Sequence, residues 1–324
     1  MIRILVLGGT RFIGPAVVHH LYTMGHAVTL FHRGQSRIDN LPDLPRLYGD
    51  RGRLPDFRDA FARIAPDVVL DMAPATEDDA LMVSNTFVGV AGRVVAVSSS
   101  DVYHAFGVMN GTEDGDPDPT PITENAPLRL NLYPHRHDTA PSLGDERRWK
   151  REYDKLFVER VVMGTEDLPG TILRLPFVYG PRDYLHRLWP YLRQMEAGQT
   201  TITLDARKAA WRSTHGYVEN VAAAIALAVI DDRARGRIYN VAEPDAPTEA
   251  EWIAAIGRAA EWGGEVVAVL PEELPEQQRT TMNTAQPFVL DTTRIRRELG
   301  YCEEVPQYDG LRAAVVWERA HSPA

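Results

Sequence analysis

Glycines near the start of the chain are spaced to hold a phosphate group. Residues 2–7 read IRILVL, Gly8 and Gly9 follow, and Gly14 stands where a helical apolar pattern begins. A glycine turn that opens a helix leaves unpaired N–H groups and a positive dipole end facing a bound phosphate. Gly8 and Gly14 match the outer positions of a G-x-x-G-x-x-G fingerprint, whose middle position is Arg11. The turn predicts dinucleotide binding, with a plain strand-to-helix loop as the alternative.

Arg33 is the next residue whose type and position indicate a chemistry. It follows the apolar run AVTLF at residues 27–31, and no acidic residue stands beside it. At the end of this strand, an Asp or Glu accepts hydrogen bonds from the ribose hydroxyls of NAD, whereas an Arg suits the 2′-phosphate of NADP. The sequence therefore favours NADP over NAD, with a solvated surface arginine as the alternative.

A parallel sheet is the element that must position these residues. Apolar runs typical of buried parallel strands alternate with helical patterns at 57–64 and 78–90, and the runs cover residues 46–48, 67–73, 93–100 and 171–175. This alternation predicts an α/β fold with a Rossmann-type doubly wound parallel sheet. Ligands of such sheets bind beyond the carboxyl ends of the strands, and the residues expected on that rim are Gly8, Arg33, Asp50, Ala73 and Ser99.

The same patterns divide the chain into two parts. Residues 1–180 are predicted to form a dinucleotide-binding domain, in which residues 104–145 lack a convincing period and form either a lid over the substrate or a disordered loop. A helix is predicted from Glu146 to Met163. Residues 181–324 are predicted to form a smaller substrate lobe, with parts near 214–242 returning to the main domain.

Charge and composition argue against several classes of partner. The 324 residues carry a formal net charge of -10, which opposes binding to nucleic acid and to anionic membranes and favours a polar small molecule. The single cysteine, Cys302, allows neither an internal disulfide nor a cysteine-based zinc site, and no metal site is predicted. The early first strand leaves no room for a signal peptide, and the apolar residues 221–230 are too few to cross a bilayer, so a cytoplasmic protein is expected.

Several motifs, taken in order, cover nearly the whole chain. They are GGTRFIG at 8–14, SSSDVY at 98–103, ITENAP at 122–127, KLFVE at 155–159, LRLPFVYGP at 173–181, GYVENVA at 216–222 and YNV at 239–241. Together they resemble the extended short-chain dehydrogenase/reductase family, the NAD(P)-dependent epimerases and dehydratases that act on nucleotide sugars. The resemblance implies an oxidoreductase, epimerase or dehydratase with a nucleotide-linked sugar as its substrate class. Because family members are often dimers, it also implies a homodimer.

The resemblance implies a catalytic set in which one member is displaced. Ser99 would bind and polarise the reacting oxygen, and Lys155 would bind the nicotinamide ribose and lower the pKa of a tyrosine four residues earlier. That position is Arg151, and the nearest tyrosine is Tyr153. Because residues two apart on a regular helix point about 160° apart, Tyr153 and Lys155 could not pair inside one.

Three explanations for this displacement stay open at this stage. The helix begins only at Tyr153, with a distorted first turn, or Tyr103 or a lid residue replaces the tyrosine, or the protein binds cofactor with little redox chemistry. The last explanation leads to an alternative function, a non-catalytic dinucleotide-binding sensor or an RNA-associated relative of the same fold.

The resemblance also implies a set of cofactor-binding residues. Asp50 would lie near the adenine, Ala73 and Pro74 along the adenosine, and Arg11 beside Arg33 at the 2′-phosphate. The full set comprises Gly8, Thr10, Arg11, Phe12, Ile13, Gly14, Arg33, Asp50, Ala73, Pro74, Ser98, Lys155, Pro176 and Val178. The arginines that would face a substrate diphosphate are Arg182, Arg187, Arg207 and Arg212.

Overall fold

The computed structural model describes residues 1–35, 41–136 and 151–323. The strands are β1 (Arg3–Leu7), β2 (Ala27–His32), β3 (Arg46–Tyr48), β4 (Val68–Asp71), β5 (Val94–Ser99), β6 (Gly170–Leu175), β7 (Phe177–Tyr179), β8 (Thr201–Asp205), β9 (His215–Tyr217), β10 (Arg237–Asn240) and β11 (Glu265–Val269). The helices are α1 (Ile13–Thr23), α2 (Arg58–Ile64), α3 (Glu77–Phe87), α4 (His104–Asn110), α5 (Lys155–Gly164), α6 (Trp189–Glu196), α7 (Ala206–Ala210), α8 (Val218–Ile230), α9 (Glu249–Ala259), α10 (Thr293–Leu299) and α11 (Gln307–Ala320).

A seven-stranded sheet in the order β10-β6-β5-β4-β1-β2-β3 organises the fold, and its neighbouring strands pair in parallel. The predicted α/β doubly wound fold is confirmed. In this register Leu7 at the end of β1 lies beside Phe31 of β2 and Asp71 of β4. The loops that follow these strands therefore meet at one rim of the sheet, where ligands of such folds bind.

The side chains of β1 show how the sheet is covered on both faces. Successive strand residues point to opposite faces, so Ile4 and Val6 join one apolar cluster and Leu5 and Leu7 another. The first cluster includes residues of α1 and α8, and the second includes residues of α2 and α3. A sheet buried on both faces requires the continuous apolar runs seen in the sequence.

The residues after β6 build a second region and also return to the main sheet. Strands β8 and β11 form one small parallel pair, and β7 and β9 form another. Strand β10 pairs with β6 at the edge of the main sheet. Helix α8 is almost wholly buried, as its apolar run predicts, and it packs against α1. Among the described residues, no helix combines the length and the apolar character that a membrane span requires.

Residues 104–145 are predicted to lack regular structure, and for the first residues of this segment the prediction is wrong. Helix α4 spans His104–Asn110 and buries Ala105, Val108 and Met109. At seven residues, this helix is too short to show a clear period in the sequence. Further along, Ile122 accepts a hydrogen bond from Asn240 Nδ2 at 2.9 Å, so this part of the segment is bound to the end of β10. Residues 137–145 of the proposed lid lie outside the described residues.

The predicted helix over 146–163 is interrupted where the structure describes it. Arg151 and Glu152 are helical, Tyr153 and Asp154 are not, and α5 begins at Lys155. The Asp154 side chain accepts a hydrogen bond from the N–H of Leu156 at 3.0 Å and so forms the N-cap of α5. Residues 146–150 lie outside the described residues.

Candidate functional site

The glycine turn after β1 has a backbone that depends on its glycines. Gly8 and Gly9 adopt φ angles of 90° and 79°, a region that favours glycine. A Cβ on Gly14 would lie 2.4 Å from the carbonyl carbon of Gly9, so the start of α1 can approach the turn only without a side chain there. Phe12, the N-cap residue of α1, makes no side-chain cap bond. The first N–H groups of α1, with Ile13 as its first residue, therefore face the rim of the sheet.

Arg33 lies at the same rim, directly after the end of β2. The last residue of β2 is His32, which sequence reasoning passed over. Its Nδ1 accepts a hydrogen bond from the N–H of Gly34 at 3.1 Å, so Nε2 carries the ring proton. Within the part of the chain that the structure describes, this buried Nε2 has no hydrogen-bond partner. Burial, followed by the charge of Arg46, lowers the pKa of His32, so a neutral ring with a buried N–H lies at the end of β2, next to Arg33.

A network around Arg51 connects the ends of β3 and β4. Its guanidinium forms ion pairs with Asp71 at 2.9 Å and Asp79 at 2.8 Å and donates to the carbonyl of Ala73 at 3.0 Å. Asp50 accepts a hydrogen bond from the N–H of Gly52 at 2.8 Å and caps the short 3-10 turn that follows. This network fixes the backbone next to Pro74 on the rim. Sequence reasoning missed Arg51 because its partners are distant in the chain.

Lys155 is buried at the first position of α5. Its Nζ donates hydrogen bonds to the carbonyls of Pro74 at 2.5 Å and Val97 at 3.0 Å. These carbonyls belong to the segments at the ends of β4 and β5, so the ammonium group lies at the rim. Burial lowers the pKa of Lys155 to about 8, against the opposing effect of nearby Asp101 and Asp71.

Tyr153 reaches the same place despite its unusual spacing from Lys155. Its hydroxyl donates a hydrogen bond to Asp101 Oδ2 at 2.7 Å, and Lys155 Nζ lies 6.0 Å from the centre of its ring. Burial and then the charge of Asp101 raise the pKa of Tyr153 well above its usual value, against smaller opposing effects of Arg129 and Ser99. The break in the helix at residues 153–154 removes the 160° separation that a regular helix would impose.

The structure differs from the first of the three explanations, because the helix begins at Lys155 and not at Tyr153. The break before Lys155, and not a distorted first turn, brings the tyrosine hydroxyl to Asp101. The suggestion that Tyr103 replaces the tyrosine is wrong. Its hydroxyl is buried, donates to Asn240 Oδ1 at 2.6 Å and accepts from Arg174 Nη1 at 2.9 Å. Both contacts hold the Tyr103 hydroxyl in the core, beside Arg174 of β6 and Asn240 of β10.

The neighbouring serines of β5 point in different directions. Ser98 Oγ donates to Glu159 Oε1 of α5 at 2.6 Å, so its side chain lies in the core. Ser99 Oγ accepts from the N–H of Asp101 at 3.2 Å at the strand end. The alternation of side chains along a strand explains why one serine packs and the other faces the site.

Two further segments lie near the residues described above: the start of β7 and the loop that follows this strand. Val178 is buried in β7, and Pro176 lies just before this strand, so close to Gly216 that a Cβ on that glycine would lie 3.0 Å from the proline ring. The ring of Tyr184, in the loop after β7, contacts Phe12 edge-on with 6.2 Å between centroids. The loop therefore joins the glycine turn to the second region. Thr10 and Arg11 lie in that turn, with Arg11 exposed.

The arginines predicted to face a diphosphate have different surroundings. Arg187 pairs with Asp183 at 2.8 Å and Arg207 with Asp205 at 2.6 Å, so both charges are compensated. Arg212 lines a cavity of about 400 Å³, together with Asp245, Glu251, Arg258 and Gln307. Arg182 has a positive φ of 70° in the loop after β7. Among the described residues, no three metal-ligating side chains form a cluster.

Comparison with known proteins gives a consistent result over the length of the chain. It is 22% identical to a UDP-N-acetyl-alpha-D-glucosaminuronate decarboxylase of Bacillus cytotoxicus, with 98% of both chains covered. It is 23% identical to a dTDP-glucose 4,6-dehydratase of Neisseria gonorrhoeae, covering 97% of this chain and 95% of that protein. A UDP-glucose-4-epimerase of Stenotrophomonas maltophila, solved with bound NAD and formylated UDP-arabinopyranose, has a TM-score of 0.70 at 20% identity over 99% of each chain.

The family profile described as NAD dependent epimerase/dehydratase matches residues 4–127 and 133–242. The matched residues include the glycine turn, the end of β5, the Tyr153–Lys155 segment and β10. The chain belongs to the NAD dependent epimerase/dehydratase family.

Proposed function

We propose that this protein is an enzyme that acts on a nucleotide-linked sugar by hydride transfer to or from a nicotinamide dinucleotide. The observation that carries the proposal is the convergence of Ser99, Tyr153 and Lys155 on the rim beside the glycine turn. Relatives named as a decarboxylase of a UDP-sugar and a dehydratase of dTDP-glucose support the substrate class.

The residues on the rim fit a dinucleotide. The turn closes so tightly at Gly14 that a side chain would strike the backbone of Gly9, and this close packing at the start of the helix is the role of the last glycine in the fingerprint. The unpaired N–H groups at the start of α1 would face the pyrophosphate. A bound nicotinamide dinucleotide supplies the group that accepts or returns a hydride. The Lys155 ammonium, held by two carbonyls, has a third N–H available for a ribose hydroxyl.

Each side chain of this site has a separate role in the transfer of the proton. Ser99 at the end of β5 would hold the reacting sugar oxygen by a hydrogen bond, and Tyr153 would exchange a proton with it. Lys155 contributes positive charge near the tyrosine ring. Arg212 is the arginine we assign to the substrate diphosphate, because it lines a cavity and its ion pair with Glu251 is long, at 3.8 Å. Arg187 and Arg207 are held more closely, by carboxylates at 2.8 Å and 2.6 Å.

The function is tested by adding NAD⁺ or NADP⁺ with a panel of UDP-sugars and dTDP-sugars. We expect nucleotide sugars to bind, and at least one to be converted, with nicotinamide absorbance followed in single turnovers and products identified by NMR. Tyr153→Phe and Lys155→Met should each lower turnover by about 100-fold or more, whereas Tyr308→Phe, at an exposed tyrosine, should not. Failure of every nucleotide sugar to bind would exclude this substrate class. Unchanged turnover in both site variants would exclude their catalytic roles.

We also propose that NADP is the preferred cofactor. The support is Arg33 directly after β2, with no acidic side chain beside it in the sequence. Arg33→Ala should weaken NADP⁺ binding by about 10-fold or more and leave NAD⁺ binding nearly unchanged. Arg53→Ala, at an exposed arginine paired with Asp56, is the matched control. Calorimetric titration measures both affinities, and tighter binding of NAD⁺ by the unaltered protein would contradict the preference.

Other expectations from the sequence stay predictions. They are a homodimer, a location in the cytoplasm, and a partner that is a small molecule and not a nucleic acid. The net charge of -10 supports the last of these and weighs against an RNA-associated role.

A further inference from the structure

Asp101 is a carboxylate placed directly against the displaced tyrosine. It lies in the short 3-10 turn Ser100–Val102 that follows β5. Its Oδ2 accepts the hydrogen bond from the Tyr153 hydroxyl at 2.7 Å. Its Oδ1 is buried and has no hydrogen-bond partner among residues 1–35, 41–136 and 151–323. The tyrosine is therefore the side chain to which this carboxylate is bound.

The charged groups near Asp101 and Tyr153 form their own hydrogen bonds and ion pairs with other residues. Arg129 forms an ion pair with Asp154 at 2.5 Å. It contacts Asp101 only at the backbone, where Arg129 Nε donates a hydrogen bond to the Asp101 carbonyl oxygen at 3.2 Å. Lys155 Nζ donates to the carbonyls of Pro74 and Val97. The ring of His135 lies 5.2 Å from that of Tyr153.

The tyrosine in this setting is poorly suited to act as a phenolate. Burial raises the pKa of Asp101, and burial together with the Asp101 charge raises that of Tyr153 well above its usual value. A tyrosine that accepts a substrate proton at neutral pH must then release its own proton at the same time. The carboxylate on its hydroxyl is in place to receive it.

We propose that Tyr153 and Asp101 form a proton relay in which the tyrosine hydroxyl takes the proton of the sugar hydroxyl while its own proton passes to Asp101 Oδ2. The O–H bond of the sugar breaks and an O–H bond to Tyr153 forms. The original O–H bond of Tyr153 breaks, and one to Asp101 forms. The electron pair of the sugar C–H bond leaves as the hydride that the proposed function already requires, and the reverse reaction returns each proton along the same path.

This inference rests on the proposed function for its substrate and explains how a tyrosine two residues before the lysine can work. The break at residues 153–154 turns the hydroxyl toward β5 and Asp101. Asp101 acts through Tyr153 and does not touch the sugar, so it is a positioning residue that also stores the proton.

The first test uses the full chain without cofactor or substrate. NMR of protein labelled at tyrosine Cζ follows the ionisation of Tyr153, with Tyr153→Phe assigning its signal. Asp101→Asn removes the negative charge, and we expect the Tyr153 titration to move to lower pH. Asp118→Asn, at a carboxylate bonded to His104 at 2.9 Å, should leave it in place. An unmoved Tyr153 titration in Asp101→Asn would overturn the relay.

The second test follows hydride transfer in single turnovers across pH. Asp101→Asn should lower the rate about 100-fold at neutral pH and recover as pH rises and the tyrosine ionises without help. Asp101→Glu should restore part of the neutral rate, because it restores an acceptor. A loss of equal size at every pH would indicate a structural role and overturn the relay. Since the NMR test needs no turnover, an inactive unaltered protein would count against the proposed function alone.

Discussion

Lys155 shows how burial adjusts a charged residue of the site. Its ammonium is held by two carbonyl oxygens and has no carboxylate in direct contact among the described residues. Desolvation therefore dominates and lowers its pKa to about 8. The charge that would support the proposed ribose contact is thus lost only slightly above neutral pH.

We predict that dinucleotide binding weakens as pH rises through about 8. The physical reason is that a neutral Lys155 donates weaker hydrogen bonds and attracts no negative charge. Lys155→Arg, which stays charged, should move this decline to higher pH. Calorimetric titrations of the cofactor across pH measure the effect. Parallel pH profiles for the two proteins would show that another group causes the decline.

His215 is a second residue whose environment sets its charge state. It is buried in β9 and stacked on Trp252, with 3.8 Å between ring centroids. Burial, followed by the charge of Arg187, lowers its pKa from 6.5 to about 3. The folded protein therefore keeps this ring neutral over a range in which the unfolded chain protonates it.

We predict that this histidine makes the free energy of unfolding fall as pH drops below 6.5 toward 3. Between these values the unfolded chain binds the proton and the folded protein does not, so stability rises with pH. Urea unfolding across pH, compared with His215→Phe, isolates the contribution. The variant should show a smaller slope in this range, and an equal slope in both proteins would refute the prediction.

At the scale of elements, the beginning of α5 is the feature on which the site depends. Asp154 caps the helix, accepts the N–H of Tyr133 at 2.8 Å, and pairs with the buried Arg129 at 2.5 Å. These contacts stabilise the non-helical backbone at residues 153–154, directly before Lys155. The segment near residues 129–133 is thereby bound to the start of α5.

We predict that Arg129→Met destabilises the protein by about 3–5 kcal/mol, because it leaves the Asp154 charge buried without its partner. Arg3→Met breaks a comparable but exposed pair with Asp67 and should cost much less, because solvent screens that pair. Denaturant unfolding of both variants gives the comparison. Similar losses in the two would show that burial does not govern the strength of the Arg129 pair.

At the scale of the whole molecule, the two predicted domains share structure. The edge strand β10 pairs with β6, and α8 covers α1, although both follow residue 180 in the chain. Removing the later residues would expose Val17 and Leu21 of α1, which are fully buried. We propose that the boundary near residue 180 divides functions and does not divide independently folding units.

We predict that a chain ending at residue 180 does not fold to a stable structure. The loss of β10 and α8 removes apolar cover that the main sheet cannot replace. Circular dichroism and amide NMR dispersion of the truncated protein measure this, with the full chain as control. Cooperative thermal unfolding of the fragment would contradict the prediction.

The sequence alone determined the sheet and the rim at which a ligand is expected. The apolar runs of β1, β4 and β5 report burial directly, because a parallel strand covered on both faces needs apolar side chains throughout. The glycines at 8 and 14 indicate the turn in the sequence, because Gly8 has a positive φ and Gly14 lies too close to the backbone of Gly9 for a side chain. The helix α9 was also predictable, since Thr248 and Glu251 form a capping box that can be seen in the sequence.

The tertiary structure decided which side chains meet at the site. Tyr153 and Asp101 are 52 residues apart in the chain, and Arg51 and Asp71 are 20 apart. Such pairs depend on where strand ends converge and on how far side chains reach, whereas local periodicity reports only which positions are buried. The displaced tyrosine illustrates the difference. Helical spacing argued against its pairing with Lys155, and a break in the helix, stabilised by the distant Arg129, allowed the two to meet.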